Sequence, residues 1–389
     1  MWPVARLPDV AEIIMGQSPP GDTYNETSDG LPFFQGKAEF GEVSPTPKKW
    51  CNSPKKIAET GDILMSVRAP VGPTNLANTQ CCIGRGLAAI RAKEEVLDPG
   101  YLRFALRQAE PKLASMGQGS TFAAIGRAEL ATTSFLLPPL PEQRRIVDLL
   151  SRAEGIVRLR REAEKKAAEL IPALFLNLFG DPATNPKGWP VDKLDAVAKI
   201  ISGATKGRRF DPSEAIELPY MRVANVKDGH LDLTEIKTIA VKRGEVEKYR
   251  LQPGDLLMTE GGDPDKLGRG ALWSGEIETC LHQNHIFKVR ADRSRLLPEY
   301  LCELVGSRYG KAYFLRVAKK TTGIATINRT QLGGFPIVVP PLSRQTEFVE
   351  KFSAVRSIQS QQSAATAKAL ATFDALLARC FSPDLAGGY

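Results

Sequence analysis

No run of eighteen apolar residues occurs in this 389-residue chain, so a membrane-spanning helix is not expected. Histidine is scarce, at three residues, and the six cysteines (Cys51, Cys81, Cys82, Cys280, Cys302, Cys380) lack the spacing of a disulfide framework. The start, Met1-Trp2-Pro3-Val4, lacks the basic and apolar regions of a secretory signal, and the cytoplasm is the expected location. Catalytic motifs are missing too. Ser18-Pro19-Pro20-Gly21 lacks the first and last elements of the Asn/Asp-Pro-Pro-aromatic loop that holds a flipped base in an amino-methyltransferase. Gly306 to Lys311 has the wrong spacing for a phosphate loop, and no hydroxyl follows the lysine. The chain is therefore read as non-catalytic, with no cofactor of its own.

What is present is a globular composition, 42% hydrophobic and 25% charged, with a net charge of +8. A basic balance favours polyanionic partners, because each phosphate contact releases counterions, but a charge this modest decides little by itself.

The stronger signal is a repeat. Trp2-Pro3-Val4 recurs as Trp189-Pro190-Val191, an offset of 187 residues. At that offset the segment from Leu7 to Gly16 matches Leu194 to Gly203, and Leu31-Pro32-Phe33 matches Leu218-Pro219-Tyr220. Gly61-Asp62-Ile63-Leu64-Met65 then matches Gly254-Asp255-Leu256-Leu257-Met258. Pro138-Pro139-Leu140 with Gln143 matches Pro340-Pro341-Leu342 with Gln345, by which point the offset has grown to 202. The second copy thus carries insertions, expected in loops.

Each copy opens as mixed α/β. Gly-Asp turns lead into strands at 63–67 and 256–258; further strands are expected at 87–90 and 286–289, and helices at 99–109 and 298–305. Pro and Gly clusters at 16–21, 69–73 and 261–270 predict loops. Each copy closes in a long helix. In the first, apolar residues fall at 146, 149, 150, 153, 156, 157, 163, 167, 170 and 174, the three-four alternation of a helix-pairing seam, with Gly180 as C-cap. The second continues through Phe348, Phe352, Val355, Ala365, Ala369, Phe373 and Leu376. Its Gln- and Ser-rich middle, 357–363, makes a poor seam alone and argues for packing on the first helix.

The expected fold class is α+β: two mixed α/β domains, 1–140 and 189–342, separated by a pair of long antiparallel coiled-coil helices in a pseudo-twofold repeat. The helices are placed at 141–180 and 343–382, with a connector at 181–188 and a tail at 383–389. Such a helix would measure about 58 Å, at about 1.5 Å per residue. Two readers held on a rod of that order could address DNA half-sites at a fixed separation.

Trp-Pro, Gly-Asp-Ile-Leu-Met-Ser-Val-Arg, Ile-Gly-Arg-Gly, Pro-Pro-Leu-Pro-Glu-Gln-Arg-Arg-Ile-Val and Leu-Phe-Gly-Asp-Pro, in this order along essentially the whole chain, resemble the specificity subunits of type I restriction–modification systems. The resemblance implies two target-recognition domains, each reading half of a bipartite duplex target. It also implies spacer helices that dock two modification (adenine methyltransferase) subunits, with restriction subunits joining them. S-adenosylmethionine would belong to the modification partner, and ATP and Mg to the restriction partner. One departure is Ser343-Arg344-Gln345 where the first copy has Pro141-Glu142-Gln143, so the two helix starts are not expected to share one cap in detail.

Arginine favours guanine in the major groove, and asparagine or glutamine favours adenine. The candidate DNA contacts are Arg68, Arg85, Gln118 and Ser120 in the first copy, and Lys206, Arg208, Arg209, Arg222, Lys319 and Lys320 in the second. Each competes with the plainer reading of a solvated surface charge. Candidates for helix packing and partner docking are Ile146, Leu149, Leu150, Ile156, Val157, Phe348, Phe352, Val355, Phe373 and Leu376. Cys280-Leu281-His282-Gln283-Asn284-His285 invites a zinc reading, but the aligned Cys81-Cys82-Ile83-Gly84-Arg85-Gly86 has no histidine and a fourth ligand is not evident. No metal site is expected. A scaffold that holds partners without touching DNA, or an orphan specificity protein that redirects a related methyltransferase, are the alternative readings.

Overall fold

The computed structural model describes residues 2–117, 124–263, 266–321 and 323–382. The chain divides into two compact units, one of 1–162 with 363–389 and the other of 163–362. Among the described residues no helix is long and apolar enough to cross a membrane.

In the first unit a four-stranded antiparallel sheet runs in the order Ala11–Met15, Leu87–Ala92, Ile63–Ser66, Thr74–Leu76. Period-two alternation sends its side chains into two different cores. Ile63, Met65, Ala88 and Ile90 face a helical core, while Leu64, Leu87 and Ala89 face a second cluster with Phe34, Cys81 and Ile83. The sheet is buried on both sides, which is why its strands read as near-continuous apolar runs. Behind it stands a five-stranded sheet in which Leu31–Phe34 runs parallel to Cys81–Ile83.

The second unit repeats the plan. Its four-stranded sheet runs Ala198–Ser202, Ile286–Ala291, Leu256–Thr259, Gly270–Leu272. Leu256, Met258, Phe287 and Val289 face the helical core, and Leu257 and Ile286 face the other side. Leu281–His282 runs parallel to Ala215–Met221, as the matching strands do in the first unit. The strand predictions therefore fall in the right places: Leu256–Thr259, Leu87–Ala92 and Ile286–Ala291 run one or two residues past the predicted ends, while Ile63–Ser66 stops one short.

Two details differ from expectation. The predicted loop 261–270 contains a strand, Gly261–Gly262, paired with Ile324–Thr326, and ends in the strand beginning at Gly270. Glycine is required there because a Cβ on Gly261 would stand 2.7 Å from the Thr326 side chain. The helix predicted at 99–109 continues to Met116 through Pro111, while its counterpart stops at Gly306 and restarts as Arg308–Val317.

Glutamine locks each long helix to its unit. Gln143 is fully buried; its Nε2 donates to the carbonyls of Val96 and Pro138 at 2.9 and 2.8 Å, and its Oε1 accepts from Asp98 N at 2.8 Å. Gln345 does the same with Arg295 and Pro340 at 2.9 and 2.8 Å and Leu297 N at 2.8 Å. The two helix starts share this anchor despite Pro141-Glu142 being replaced by Ser343-Arg344. A second pair of equivalents lies in the sheets: Arg91 grips Asp62 with both Nε and Nη2, and Arg290 grips Asp255 likewise.

The long helices span Leu140–Phe179 and Leu342–Cys380, against predicted 141–180 and 343–382. Gly180, at φ +79°, closes the first as a left-handed cap and donates to the Leu176 carbonyl. In the first unit Ile146, Leu150 and Val157 meet Phe373, Leu377 and Cys380, so early residues of one helix pack on late residues of the other. In the second, Ile171, Phe175 and Phe179 meet Phe348 and Phe352, with Phe175 edge-on to Phe348 at 5.7 Å. Leu376 and Val355 pack at the margins of these cores. Leu149 and Ile156 do not: they are 44% and 54% exposed. The seam is narrower than the apolar pattern because a helix turns 100° per residue, and positions 149 and 156 fall past the edge of the covered face. The connector 181–188 is a hydrogen-bonded turn in which Asn185 Oδ1 accepts from Trp189 N and Asn185 Nδ2 donates to the Trp189 carbonyl. The tail 383–389 lies outside the described residues.

Candidate nucleic-acid interface

In the first unit two of the predicted contacts come together. Arg85 sits at the tip of a turn, Gly84-Arg85-Gly86, closed by Leu87 N donating to the Gly84 carbonyl at 3.0 Å. Both glycines are packed against the chain near Gln35: a Cβ on Gly86 would lie 2.2 Å from the Gln35 carbonyl oxygen, and one on Gly84 3.0 Å from Gln35 Cγ. The Ile-Gly-Arg-Gly motif therefore encodes a turn pressed onto the neighbouring strand end, with only the arginine exposed. Arg85 N is further held by Ser18 Oγ at 3.3 Å.

Arg68 follows the strand Ile63–Ser66, where Ser66 Oγ donates to its carbonyl and Arg68 itself bridges to Ala124. Arg68, Arg85 and Lys37 line one open cleft of about 200 Å³ with Gln35 and Ser66. None of the described residues lining that cleft is acidic. A polyanion meets concentrated positive charge here at low desolvation cost, since the arginines are already exposed. Gln118 and Ser120 lie outside the described residues.

The second unit distributes its predicted contacts differently. Lys206, Arg208 and Arg209 occupy the loop between Ala198–Ser202 and Ala215–Met221, all exposed. Arg208 is occupied within the unit, paired with Glu245 at 3.0 Å and stacked over Phe210 at 4.7 Å. Arg222 is drawn in further. Its guanidinium donates to both the carboxylate and the carbonyl of Glu235, at 2.9 and 3.0 Å, and its backbone N–H donates to Asn225 Oδ1 at 2.9 Å. Lys319 and Lys320, candidates for loop contacts by their charge, lie instead in a strand, Lys319–Thr321, at the edge of the three-stranded sheet; both are exposed. Lysine on a sheet edge also guards against edge-to-edge pairing, so structure alone gives these two residues a second reason to be there.

The Cys280–His285 segment separates its polar groups instead of converging them. His282 is buried, with Nδ1 2.9 Å from the Tyr249 carbonyl and Nε2 3.2 Å from that of Ile201. His285 is exposed and paired with Glu260 at 2.8 Å. Burial pushes the Cys280 thiol up to about 12, as it does Cys81 and Cys82. Among the described residues no group of three His, Cys, Asp or Glu side chains could hold a metal ion.

Residues 1–169 match the family model described as "Type I restriction modification DNA specificity domain". The putative type I restriction enzyme MjaX specificity subunit of Methanocaldococcus jannaschii is 41% identical over 180 residues, 46% of this chain and 42% of that protein. The match thus spans less than half the length of that relative. The type I restriction enzyme EcoKI specificity subunit of Escherichia coli is 23% identical over 428 residues, 99% of this chain and 89% of that one. Residues 1–169 thus match a type I DNA specificity domain, and the chain as a whole is similar to type I specificity subunits. A crystal structure of the S subunit of a type I restriction–modification system from M. genitalium, 14% identical, shares the fold across 98% of this chain and 96% of that one at a TM-score of 0.57.

Gln35 and Lys37, which line the cleft with Arg85, and Asn284, which aligns with Arg85, were not among the candidate residues. Gln35 and Lys37 reach the Arg85 cleft only through the pairing of Leu31–Phe34 with Cys81–Ile83, which no local pattern announces. Asn284 was legible in principle, since the repeat aligns it with Arg85.

Proposed function

We propose that this chain is the DNA sequence-recognition subunit of a type I restriction–modification complex, each unit reading one half of a bipartite duplex target and neither carrying out chemistry. The observation that supports it most is a duplicated scaffold whose exposed turns and loops differ. The buried anchors Gln143 and Gln345, and the Asp62–Arg91 and Asp255–Arg290 pairs, are matched between the units, while the exposed cations are not. Arg68, Arg85, Gln118, Ser120, Lys206, Arg208, Arg209, Arg222, Lys319 and Lys320 remain the proposed DNA contacts, with Arg208 and Arg222 having to exchange an internal carboxylate for DNA.

The same reading assigns the long helices as an antiparallel spacer that sets half-site separation and docks two modification subunits, with restriction subunits joining. Exposed Leu149 and Ile156 suit docking where they do not suit packing, and Leu149 borders a groove with Trp2 and Leu376. S-adenosylmethionine would be bound by the modification partner, and ATP and Mg by the restriction partner. A cytoplasmic location follows from the proposed substrate.

The test is a salt titration of duplex binding, with and without modification subunits. Affinity is expected to fall steeply with salt and to prefer one bipartite sequence. A complex with neither property would instead be a scaffold that only holds its partners. Removing seven residues from both long helices is expected to change the preferred spacer; an unchanged spacer in a methylation map removes the spacing role.

A further inference from the structure

The turn at Arg85 has a counterpart in the second unit held by three equivalent backbone hydrogen bonds. Gly84 N donates to the Phe34 carbonyl at 2.8 Å, and Gln283 N to that of Met221 at 3.0 Å. Leu87 N returns to the Gly84 carbonyl at 3.0 Å, and Ile286 N to that of Gln283 at 2.9 Å. Val67 N donates to the Gly86 carbonyl at 2.9 Å, and Glu260 N to that of His285 at 3.0 Å. At the tip, Arg85 N is held by Ser18 Oγ at 3.3 Å and Asn284 N by the Ala204 carbonyl at 2.9 Å. One rigid backbone device thus presents arginine in one unit and asparagine in the other.

The surroundings diverge with the tip. Arg85 shares its cleft with Lys37 and Arg68. Around Asn284, the position matching Arg68 is Gly261, and the adjacent His285 is held by Glu260 at 2.8 Å. Arg91, Arg103 and Arg107 of the first unit are each committed to a carboxylate. No ion pair is formed by Arg85 with the described residues.

We propose that this turn is the base-reading element of each unit, Arg85 recognising a guanine in one half-site and Asn284 an adenine in the other. The inference rests on the DNA-recognition reading given above. A guanidinium can donate two parallel hydrogen bonds to guanine O6 and N7, and a carboxamide can pair donor and acceptor with adenine N6 and N7. Either side chain can donate to a phosphate oxygen, but a phosphate, the same in both half-sites, gives no reason for the turn to carry a different group in each unit. Base readout accounts for both. Fixing the reader on a turn held by three backbone bonds and a fourth contact at its tip also supplies the positional accuracy that base discrimination requires.

The experiment maps methylated sites in a host carrying the complete system with the natural chain, Arg85→Ala, Arg85→Gln or Asn284→Ala. It then measures competition binding of each purified complex to its mapped duplex and to every single-base-pair variant. Arg85→Ala is expected to relax one guanine-containing position of one half-site by roughly 5- to 150-fold, leaving the other half unchanged. Asn284→Ala is expected to relax one adenine-containing position of the opposite half. Arg85→Gln keeps a side chain of similar reach on the turn and should lose the guanine preference even if the alanine variant folds poorly. Uniform weakening on all sequences, with an unchanged site map and a shallower salt dependence, would make Arg85 a phosphate clamp and overturn the inference. A natural complex with no sequence preference would overturn the recognition reading itself, and this proposal with it.

Discussion

The two units have the same skeleton and different surfaces. Every strong match between the copies that the structure explains is a structural anchor: Gln143 with Gln345, Asp62 with Asp255, Gly16 with Gly203, Tyr101 with Tyr300. Cβ atoms on Gly16 and Gly203 would each lie 2.1 Å from a backbone oxygen, of Gly84 and of His282. Tyr101 and Tyr300 donate their hydroxyls to the carbonyls of Leu136 and Val338 at 2.7 and 2.8 Å. The exposed cations they do not share lie mostly on loops and turns, although buried positions differ too, as His282 does from Ile83. Internal similarity here marks how the units fold, and on the proposed reading the exposed differences are what meet the two half-sites.

Each unit is closed by a buried ring of the second long helix, at positions that are not aligned with each other, and truncating either ring should cost a similar amount. The largest effect is expected from Phe348→Ala and Phe373→Ala, which truncate rings 0% and 1% exposed where a long helix meets its unit. Each should destabilise its unit by about 3–5 kcal/mol, through lost burial and the cavity left behind. Leu149→Ala and Ile156→Ala should change stability by less than about 0.5 kcal/mol. Denaturant unfolding of the four variants decides it, and a large loss at Ile156 would mean that the exposed stripe is packed in the folded chain.

That contrast also shows how far sequence reaches. The apolar runs at 63–67 and 256–258 and the three-four pattern of the long helices located the main elements, because apolar periodicity is a direct record of burial. The width of a buried stripe is not recorded in the same way. Ile146, Leu150 and Val157 are covered while Leu149 and Ile156 are equally apolar and exposed. Lys319 and Lys320 read as loop because charged residues are poor evidence for a strand, and their strand depends on pairing with Ile324–Thr326. The Arg85 cleft is tertiary: Gln35 and Lys37 arrive from a segment some fifty residues away in sequence.

The next comparison concerns polar anchors. Gln143→Ala and Gln345→Ala should each cost about 2–3 kcal/mol, since truncation strands one buried N–H and two carbonyls. The expectation is equality despite the different flanking residues. Thermal and denaturant unfolding that gave a loss below about 1 kcal/mol at Gln345 alone would show that Ser343-Arg344 supplies a substitute anchor that Pro141-Glu142 does not.

The smallest effect separates the units by pH. His282 aligns with Ile83, so only the second unit has a titratable group in this buried position. Burial pushes the imidazole down to about 4, opposed by the Tyr249 carbonyl and assisted by the nearby Lys288 ammonium. Asp255 acts weakly in the other direction. An unfolded histidine takes up a proton near pH 6.5, whereas folded His282 resists until about pH 4. The unfolded state therefore binds more protons throughout that window, and stability must fall as pH falls through it. Between pH 7 and pH 5 the loss is about 2 kcal/mol, and it belongs to the second unit alone. Unfolding followed by fluorescence of buried Trp273 in that unit should report it, and His282→Gln should flatten the dependence. If the variant loses as much stability as the natural chain over the same interval, the acid sensitivity lies elsewhere and the neutral, buried imidazole is not its source.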